Sequence, residues 1–137
     1  LIIYVPFWVY TPTTYANAFW YNGAGVLGNV NVGVYDVAGT LLASTGAQVQ
    51  TTINAVQSAA LTLTVGCGQF YMAITESDAI TSAFVRGVGS TNLAGLSFNL
   101  VGCLQQAGAG GLPATATFAA MATNYLPVFG ISTRGFI

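Results

Sequence analysis

Residues 29–50 constrain the fold of this chain more than any other stretch. Their first part, NVNVGVYD, alternates strictly, with valine at every second position from 30 to 34. A period of two places such valines on one face of a β-strand. A turn signal follows at Asp36 and Gly39, because Asp hydrogen-bonds nearby backbone groups and Gly tolerates a positive φ. With the apolar run that comes next, the stretch predicts an antiparallel hairpin over residues 29–43 with one buried face.

Further short apolar or alternating segments occur along the chain, bounded by turn residues. We predict strands over residues 1–9, 15–21, 58–65, 69–75, 81–85, 96–100 and 126–132. Gly66-Cys67-Gly68 joins two of them, which predicts a second hairpin with Leu61 and Phe70 on inward faces. Pro6 lacks a backbone donor, so it favours an edge position or a bulge in the first strand.

Two segments in the second half differ in composition from these strands. Residues 105–112, QQAGAGGL, are rich in Gly and predict an exposed loop. Residues 113–123 contain enough Ala for a helix. Thr115, Thr117 and Thr123 alternate with small apolar residues there, so we predict an extended chain instead.

Eight to ten short strands separated by turn signals predict an all-β fold. Long irregular links after residues 85 and 105 favour Greek-key crossings, so we predict a jelly-roll-like antiparallel β-sandwich. The chain has 137 residues, which suits a single domain over residues 1–137. It has no initiator Met, and we expect either a processed product or a piece of a longer one.

Charge is the most unusual property of the composition. Charged residues make up 4% of the chain, against about 25% in an ordinary soluble domain. Two arginines cannot neutralise a row of phosphates, so we exclude nucleic acid as a partner. A spanning helix needs about 20 apolar residues. The longest apolar run, residues 1–10, is shorter and contains Pro6, so no membrane span is predicted.

So few charges favour a surface that is buried against other copies of the chain. Charges in a subunit interface are expensive to desolvate and are depleted there. We therefore expect a homo-oligomer, with a trimer as the expected assembly. The alternative is compositional drift in a secreted protein of low charge.

The side chains that usually carry catalysis or bind metals are scarce. The chain has no His, which excludes Ser-His-Asp and Cys-His catalysis in their usual forms and a typical zinc site. Glu76 and Asp78 form the one close carboxylate pair, a weak candidate for Ca²⁺ binding beside the simpler interpretation of a solvated loop. We predict no enzyme and no cofactor. Cys67 and Cys103 either form a disulfide or pack as two buried thiols.

Aromatic residues are the better candidates for a function. Seven of them exceed what one small core must hold: Trp8, Tyr10, Tyr15, Trp20, Tyr21, Tyr35 and Tyr71. Exposed aromatic rings stack on sugars or fill subunit interfaces. Tyr35 and Tyr71 lie on the opposite parity from the apolar face of their strands, so they are expected to point away from the core. We predict a glycan or subunit contact at Trp20, Tyr21, Tyr35 and Tyr71.

Residues 4–85 resemble virion surface domains of tailed bacteriophages. The resemblance rests on YVPFWVYTPTT, AFWY, NVNVGVYDVAGTLLAS, SAALTLTV and GQFYMAIT. It implies a sandwich similar to carbohydrate-binding modules, located on the virion surface outside the cell as a capsid decoration or a head or tail fibre. The expected partners are other virion proteins and a host surface glycan. The alternative function is a carbohydrate-binding module. The resemblance implies no catalytic residue, and the near absence of charge departs from its pattern.

Overall fold

The computed structural model describes residues 1–77, 102–122 and 127–134, and the statements below concern these residues. They form ten strands: β1 (Ile2–Val9), β2 (Thr13–Tyr21), β3 (Asn29–Asp36), β4 (Leu41–Ser44), β5 (Gln48–Val49), β6 (Val56–Val65), β7 (Gly68–Glu76), β8 (Leu104–Gln106), β9 (Ala119–Ala120) and β10 (Phe129–Ser132). The strands form two antiparallel sheets. This confirms the predicted all-β sandwich of eight to ten short strands. The predicted strands over residues 81–85 and 96–100 lie outside the described residues.

The large sheet has seven strands in the order β4-β3-β7-β1-β8-β9, with β5 also paired to β3. The small sheet has three strands in the order β10-β2-β6. β1 pairs with β7 along its whole length, from Ile2 opposite Thr75 to Val9 opposite Gly68. β8 pairs with β1 only as far as Tyr4. Pro6 therefore lies where β1 has one described neighbour, as expected of a residue without a backbone donor.

The predicted hairpin over residues 29–43 is confirmed. β3 and β4 pair antiparallel, with Gly33 opposite Ser44. In the turn, the backbone N–H of Thr40 donates to Oδ1 of Asp36 at 2.8 Å, and Gly39 has a φ of 87°. Only a residue without Cβ adopts that φ at little cost, so this turn determines where the hairpin reverses.

The predicted second hairpin is wrong in its pairing. β6 and β7 follow each other along the chain, but β6 pairs with β2 in the small sheet and β7 pairs with β1 and β3 in the large sheet. Leu61 of β6 and Ile74 of β7 are both buried in the core between the sheets. Period two identifies the buried face of each strand, and it contains no information about which strand lies alongside.

The main core fills the space between the two sheets. Its buried members are Ile3, Val9, Ala18, Trp20, Val30, Val32, Val34, Leu61, Leu63, Val65, Ile74, Cys103 and Met121. The three valines of β3 are fully buried, as their alternation predicts. Each such side chain contributes about 1.5–3 kcal/mol of hydrophobic stabilisation.

A second apolar cluster lies on the outer face of the large sheet. Its buried members are Ile2, Tyr4, Tyr35 and Ala73. Residues 112–118, called the strap below, cover them with Leu112, Ala116 and Phe118. The strap is bound to the β3–β4 hairpin, since Leu41 N–H donates to the Ala114 carbonyl at 3.0 Å and Ala116 N–H donates to the Gly39 carbonyl at 2.7 Å. The extended chain predicted over residues 113–123 is confirmed where it is described.

The loop predicted over residues 105–112 begins two residues later than expected, because β8 continues to Gln106. Gln105 and Gln106 belong to β8, opposite Ile3 and Ile2 of β1. The Gly-rich part follows and passes close over the sheet, because a Cβ on Gly108 would lie 3.1 Å from the Ile2 side chain. The glycines therefore permit a close approach of this segment to β1.

Candidate functional site

Two of the predicted contact residues are buried, so their assignment to a contact surface is wrong. Trp20 and Tyr35 are both fully shielded from solvent. Trp20 lies in the core between the sheets, and its Nε1–H donates to Oδ1 of Asn22 at 3.0 Å. Tyr35 does point away from that core, as predicted, but the strap covers it and its hydroxyl donates to the Pro113 carbonyl at 2.7 Å. Asn31, on the same face of β3, is also buried.

The other two predicted residues are half-buried and lie on different sheets. Tyr21 ends β2 in the small sheet, and its hydroxyl donates to the Asn54 carbonyl at 2.9 Å. Tyr71 lies on β7 in the large sheet, with its ring centroid 4.9 Å from that of Phe118. The four aromatic residues therefore form no common site.

An exposed tryptophan lies near Tyr71; the sequence placed it among the surplus aromatic residues but not among the four predicted contact residues. Trp8 is 58% exposed and lies directly opposite Gln69, two residues before Tyr71 on β7. We call Trp8, Gln69 and Tyr71 the aromatic patch. Alternation could not identify Trp8, because β1 is apolar at both parities. The pairing with β7, which only the structure provides, reveals its neighbours.

A second exposed surface is formed by β6, an edge strand of the small sheet. Its outward side chains are all exposed, and we call them the β6 face: Val56, Ser58, Ala60, Thr62 and Thr64. Among the described edge strands, β4 and β10 have four residues each and β5 and β9 have two each, whereas β6 has ten. Natural sheets protect long edges with charges, prolines or bulges. β6 contains no charged residue and no proline, and a single irregularity, where its register with β2 shifts between Tyr15 and Asn17, interrupts it.

No charged residue lies in the described strands of the small sheet. None of its three strands, TTYANAFWY, VQSAALTLTV and FGIS, contains an Asp, Glu, Lys or Arg. The charged side chains among the described residues are Asp36, Glu76 and Arg134, all outside this sheet. A surface without charges loses little favourable hydration when a partner covers it. The small sheet therefore suits burial against another surface.

The carboxylate pair proposed from the sequence is only half described. Glu76 ends β7, half-buried, and Asp78 lies outside the described residues. The Gln50 side-chain amide lies between Asn22 and Glu76. One orientation of this amide donates to Asn22 Oδ1 at 2.8 Å, and the opposite one donates to the Leu27 carbonyl at 2.9 Å and Glu76 Oε1 at 3.1 Å. The described residues contain no cluster of three metal-ligating side chains.

The two cysteines are free thiols, so the disulfide alternative is wrong, and the alternative of two buried thiols holds for Cys103 alone. Cys67 is exposed in the β6–β7 connection, where its Sγ donates to the Tyr10 carbonyl at 3.2 Å. Cys103 is buried in the core, and burial raises the pKa of its thiol. One sulfur lies at the surface and the other between the sheets, which explains why they do not pair.

Two buried tyrosines hold the strap, and the pKa values of both are raised. Burial raises the pKa of Tyr4 to about 12, while its neighbour Tyr35 lowers it to a smaller extent. Burial also raises the pKa of Tyr35, and the charge of an ionised Tyr4 would raise it further. The Tyr4 hydroxyl donates to Oε1 of Gln106 at 2.8 Å. These hydroxyls serve as structural donors in their neutral form.

A shallow depression of about 390 Å³ lies beside this cluster. Its lining is Ile2, Gln106, Ala107, Gly108, Ala109, Gly111, Leu112 and Pro113. None of these side chains is charged or nucleophilic, so the depression offers no group that could perform acid–base or covalent chemistry.

No protein-family model, curated protein or solved structure matches this chain. In the part of the chain that the structure describes, no helix has the length and apolarity needed to cross a membrane.

Proposed function

We propose that this chain is a non-enzymatic structural protein of a bacteriophage virion surface, a capsid decoration or a fibre of the head or tail, which assembles as a homo-oligomer. Self-assembly is inferred from the β6 face. This face combines the longest described edge strand with a sheet whose described strands have no charged residue. The virion assignment is supported by the sequence motifs of residues 4–85.

The expected partner of the β6 face is another copy of the same chain. Among the described strands β6 has a neighbour on one side only, and an edge strand presents unpaired backbone groups that pair readily with a further strand. Its outward Thr, Ser and Ala side chains are small, so a second surface can approach closely. Homo-oligomers with closed symmetry are the commonest soluble assemblies, and a trimer is the oligomer expected here.

Light scattering on the purified protein tests this proposal. We expect a mass three times the 14.1 kDa of one chain. Thr62→Lys places a charge in the middle of the β6 face and is expected to shift the mass toward one chain. Val37→Lys is the matched control, because Val37 is exposed in the β3–β4 turn of the large sheet and its charge lies outside the proposed interface.

Two outcomes would contradict the proposal. A wild-type mass of one chain at every concentration would exclude self-assembly. A multimer that Thr62→Lys leaves intact would show that copies associate through a different surface. Circular dichroism on both variants confirms that each retains the β-sheet signal.

A further inference from the structure

We propose that the aromatic patch of Trp8, Gln69 and Tyr71 is a binding site for a neutral sugar ring. This inference goes beyond assembly, because the patch lies on the large sheet and the β6 face on the small one. Trp8 is 58% exposed, although tryptophan is highly buried on average. Residues on either side of it, Phe7 and Val9, pack into the core between the sheets, so Trp8 points to the outer face.

Cross-strand pairing places a polar group beside this indole. Trp8 and Gln69 are directly opposite each other, which brings their Cβ atoms to about 4.5–5.5 Å. Within the described residues the Gln69 side-chain amide forms no hydrogen bond. An amide both donates and accepts, so it can pair with two neighbouring hydroxyls of a ligand that lies on the indole.

Tyr71 bounds the other end of the patch. It follows Gln69 by two residues on the same face of β7, about 7 Å along the strand, opposite Pro6. The Tyr71 ring contacts Phe118 of the strap, with 4.9 Å between centroids, which limits its movement. Its hydroxyl has no hydrogen-bond partner among the described residues. The strap contacts Tyr71 and leaves Trp8 exposed.

The chemistry of these three side chains selects the class of ligand. A pyranose has an apolar C–H face that stacks on an indole, and equatorial hydroxyls around it that need donors and acceptors. None of the three side chains is charged, and Glu76 lies seven residues from Gln69 at the far end of β7. The patch therefore offers no countercharge to a phosphate, a sulfate or a cation, and it fits a neutral hexose or N-acetylhexosamine.

A glycan array tests this inference with the full chain as the probe protein. The printed probes are neutral oligosaccharides of glucose, galactose, mannose and N-acetylglucosamine, with sialylated and sulfated ones as a separate arm. We expect the wild type to bind in the neutral arm. Trp8→Ala is expected to weaken that binding at least tenfold, and Gln69→Ala severalfold. Val49→Ala, which removes an exposed apolar side chain at the opposite end of the large sheet, is expected to leave it unchanged.

The same variants are measured by light scattering, so that binding and assembly are judged separately. If Thr62→Lys is monomeric and still binds the neutral sugars, the patch binds sugar independently of self-assembly. Three results would overturn the inference: no binding to any neutral probe, binding confined to the anionic arm, or Trp8→Ala binding as well as the wild type. Loss of the multimer in Trp8→Ala with no change in sugar binding would assign Trp8 to a subunit contact instead. Since Trp8 is exposed, its replacement is expected to leave folding intact, which a thermal melt verifies.

Discussion

Gly33 lies in the middle of β3, on the face of the large sheet that the strap covers. A Cβ at this position would lie 2.6 Å from Leu112 Cδ1 and 2.9 Å from the Ala43 carbonyl oxygen. Leu112 could rotate away, but the carbonyl belongs to the backbone of β4 and cannot. The position therefore requires glycine because of its packing, since its φ is not in the left-handed region.

Replacing Gly33 by Ala is expected to lower the free energy of unfolding by about 1–3 kcal/mol, the usual penalty for an overpacked core. Urea denaturation followed by circular dichroism measures the change. Gly66→Ala is the matched control, because nothing lies within 4 Å of its added Cβ, and we expect a change below about 1 kcal/mol. Equal effects of the two substitutions would contradict the close approach of the Ala43 carbonyl and Leu112 to Gly33.

Individual side chains show how far the sequence alone can be interpreted. The alternation of Val30, Val32 and Val34 correctly predicted burial, because period two follows from strand geometry. The same parity placed Tyr35 on the opposite face, and that face is covered as well. What covers it is the strap, about 80 residues later in the chain. A local pattern determines the direction of a side chain and contains no information on a distant segment that packs over it.

At the scale of elements, the strap is held by two tyrosine hydroxyls from the sheet below. Tyr35 donates to the Pro113 carbonyl and Tyr4 donates to Gln106, whose Oε1 also accepts from Thr117 N–H at 2.7 Å. Both hydroxyls must be protonated to donate. Their raised pKa values mean that the folded protein retains these protons to a higher pH than the unfolded chain does.

The stability of the fold is therefore expected to decrease in alkaline solution. Unfolded tyrosines ionise near pH 10.0, whereas folded Tyr4 does so near 12. Below pH 10 the two states bind the same protons and stability is unaffected. Between about pH 10 and 12 the free energy of unfolding falls, with a slope that approaches roughly 1.4 kcal/mol per pH unit for each buried tyrosine. Chemical denaturation at a series of pH values measures this slope.

Variants at the tyrosines separate this effect from general alkaline damage. Tyr35→Phe removes one ionisable group and is expected to reduce the slope, although it also lowers stability at neutral pH by deleting a hydrogen bond. Tyr10→Phe removes an exposed hydroxyl and is expected to keep the wild-type slope. The same slope in all three proteins would contradict the role of the buried hydroxyls.

Strand positions were predictable to a larger extent than strand partners. The sequence located β6 and β7 within a few residues, yet it joined them as a hairpin. The connection at Gly66 and Cys67 is short enough for a hairpin, but the two strands belong to different sheets and bury Leu61 and Ile74 in the core between them. The choice between these arrangements depends on the complete set of strands and not on the connection.

For the whole molecule, the positions of the charged residues indicate an interface more specifically than their number does. The sequence showed that only five charged residues exist and led us to expect an oligomer. It could not show that the described charges avoid one sheet, because that requires knowing that β2, β6 and β10 are neighbours. The aromatic patch depends likewise on the register between β1 and β7. The composition therefore suggested assembly, and the topology provides a specific surface for it.

Hydrogen–deuterium exchange of the β6 backbone at low and high protein concentration tests the central proposal most directly. If copies associate through the β6 face, amides in residues 56–65 are expected to exchange several-fold more slowly at the concentration where the multimer forms. Amides of β3, which lies inside the large sheet between its neighbours, are expected to exchange at the same rate in both samples. A multimer whose residues 56–65 exchange at the monomer rate would contradict assembly through β6.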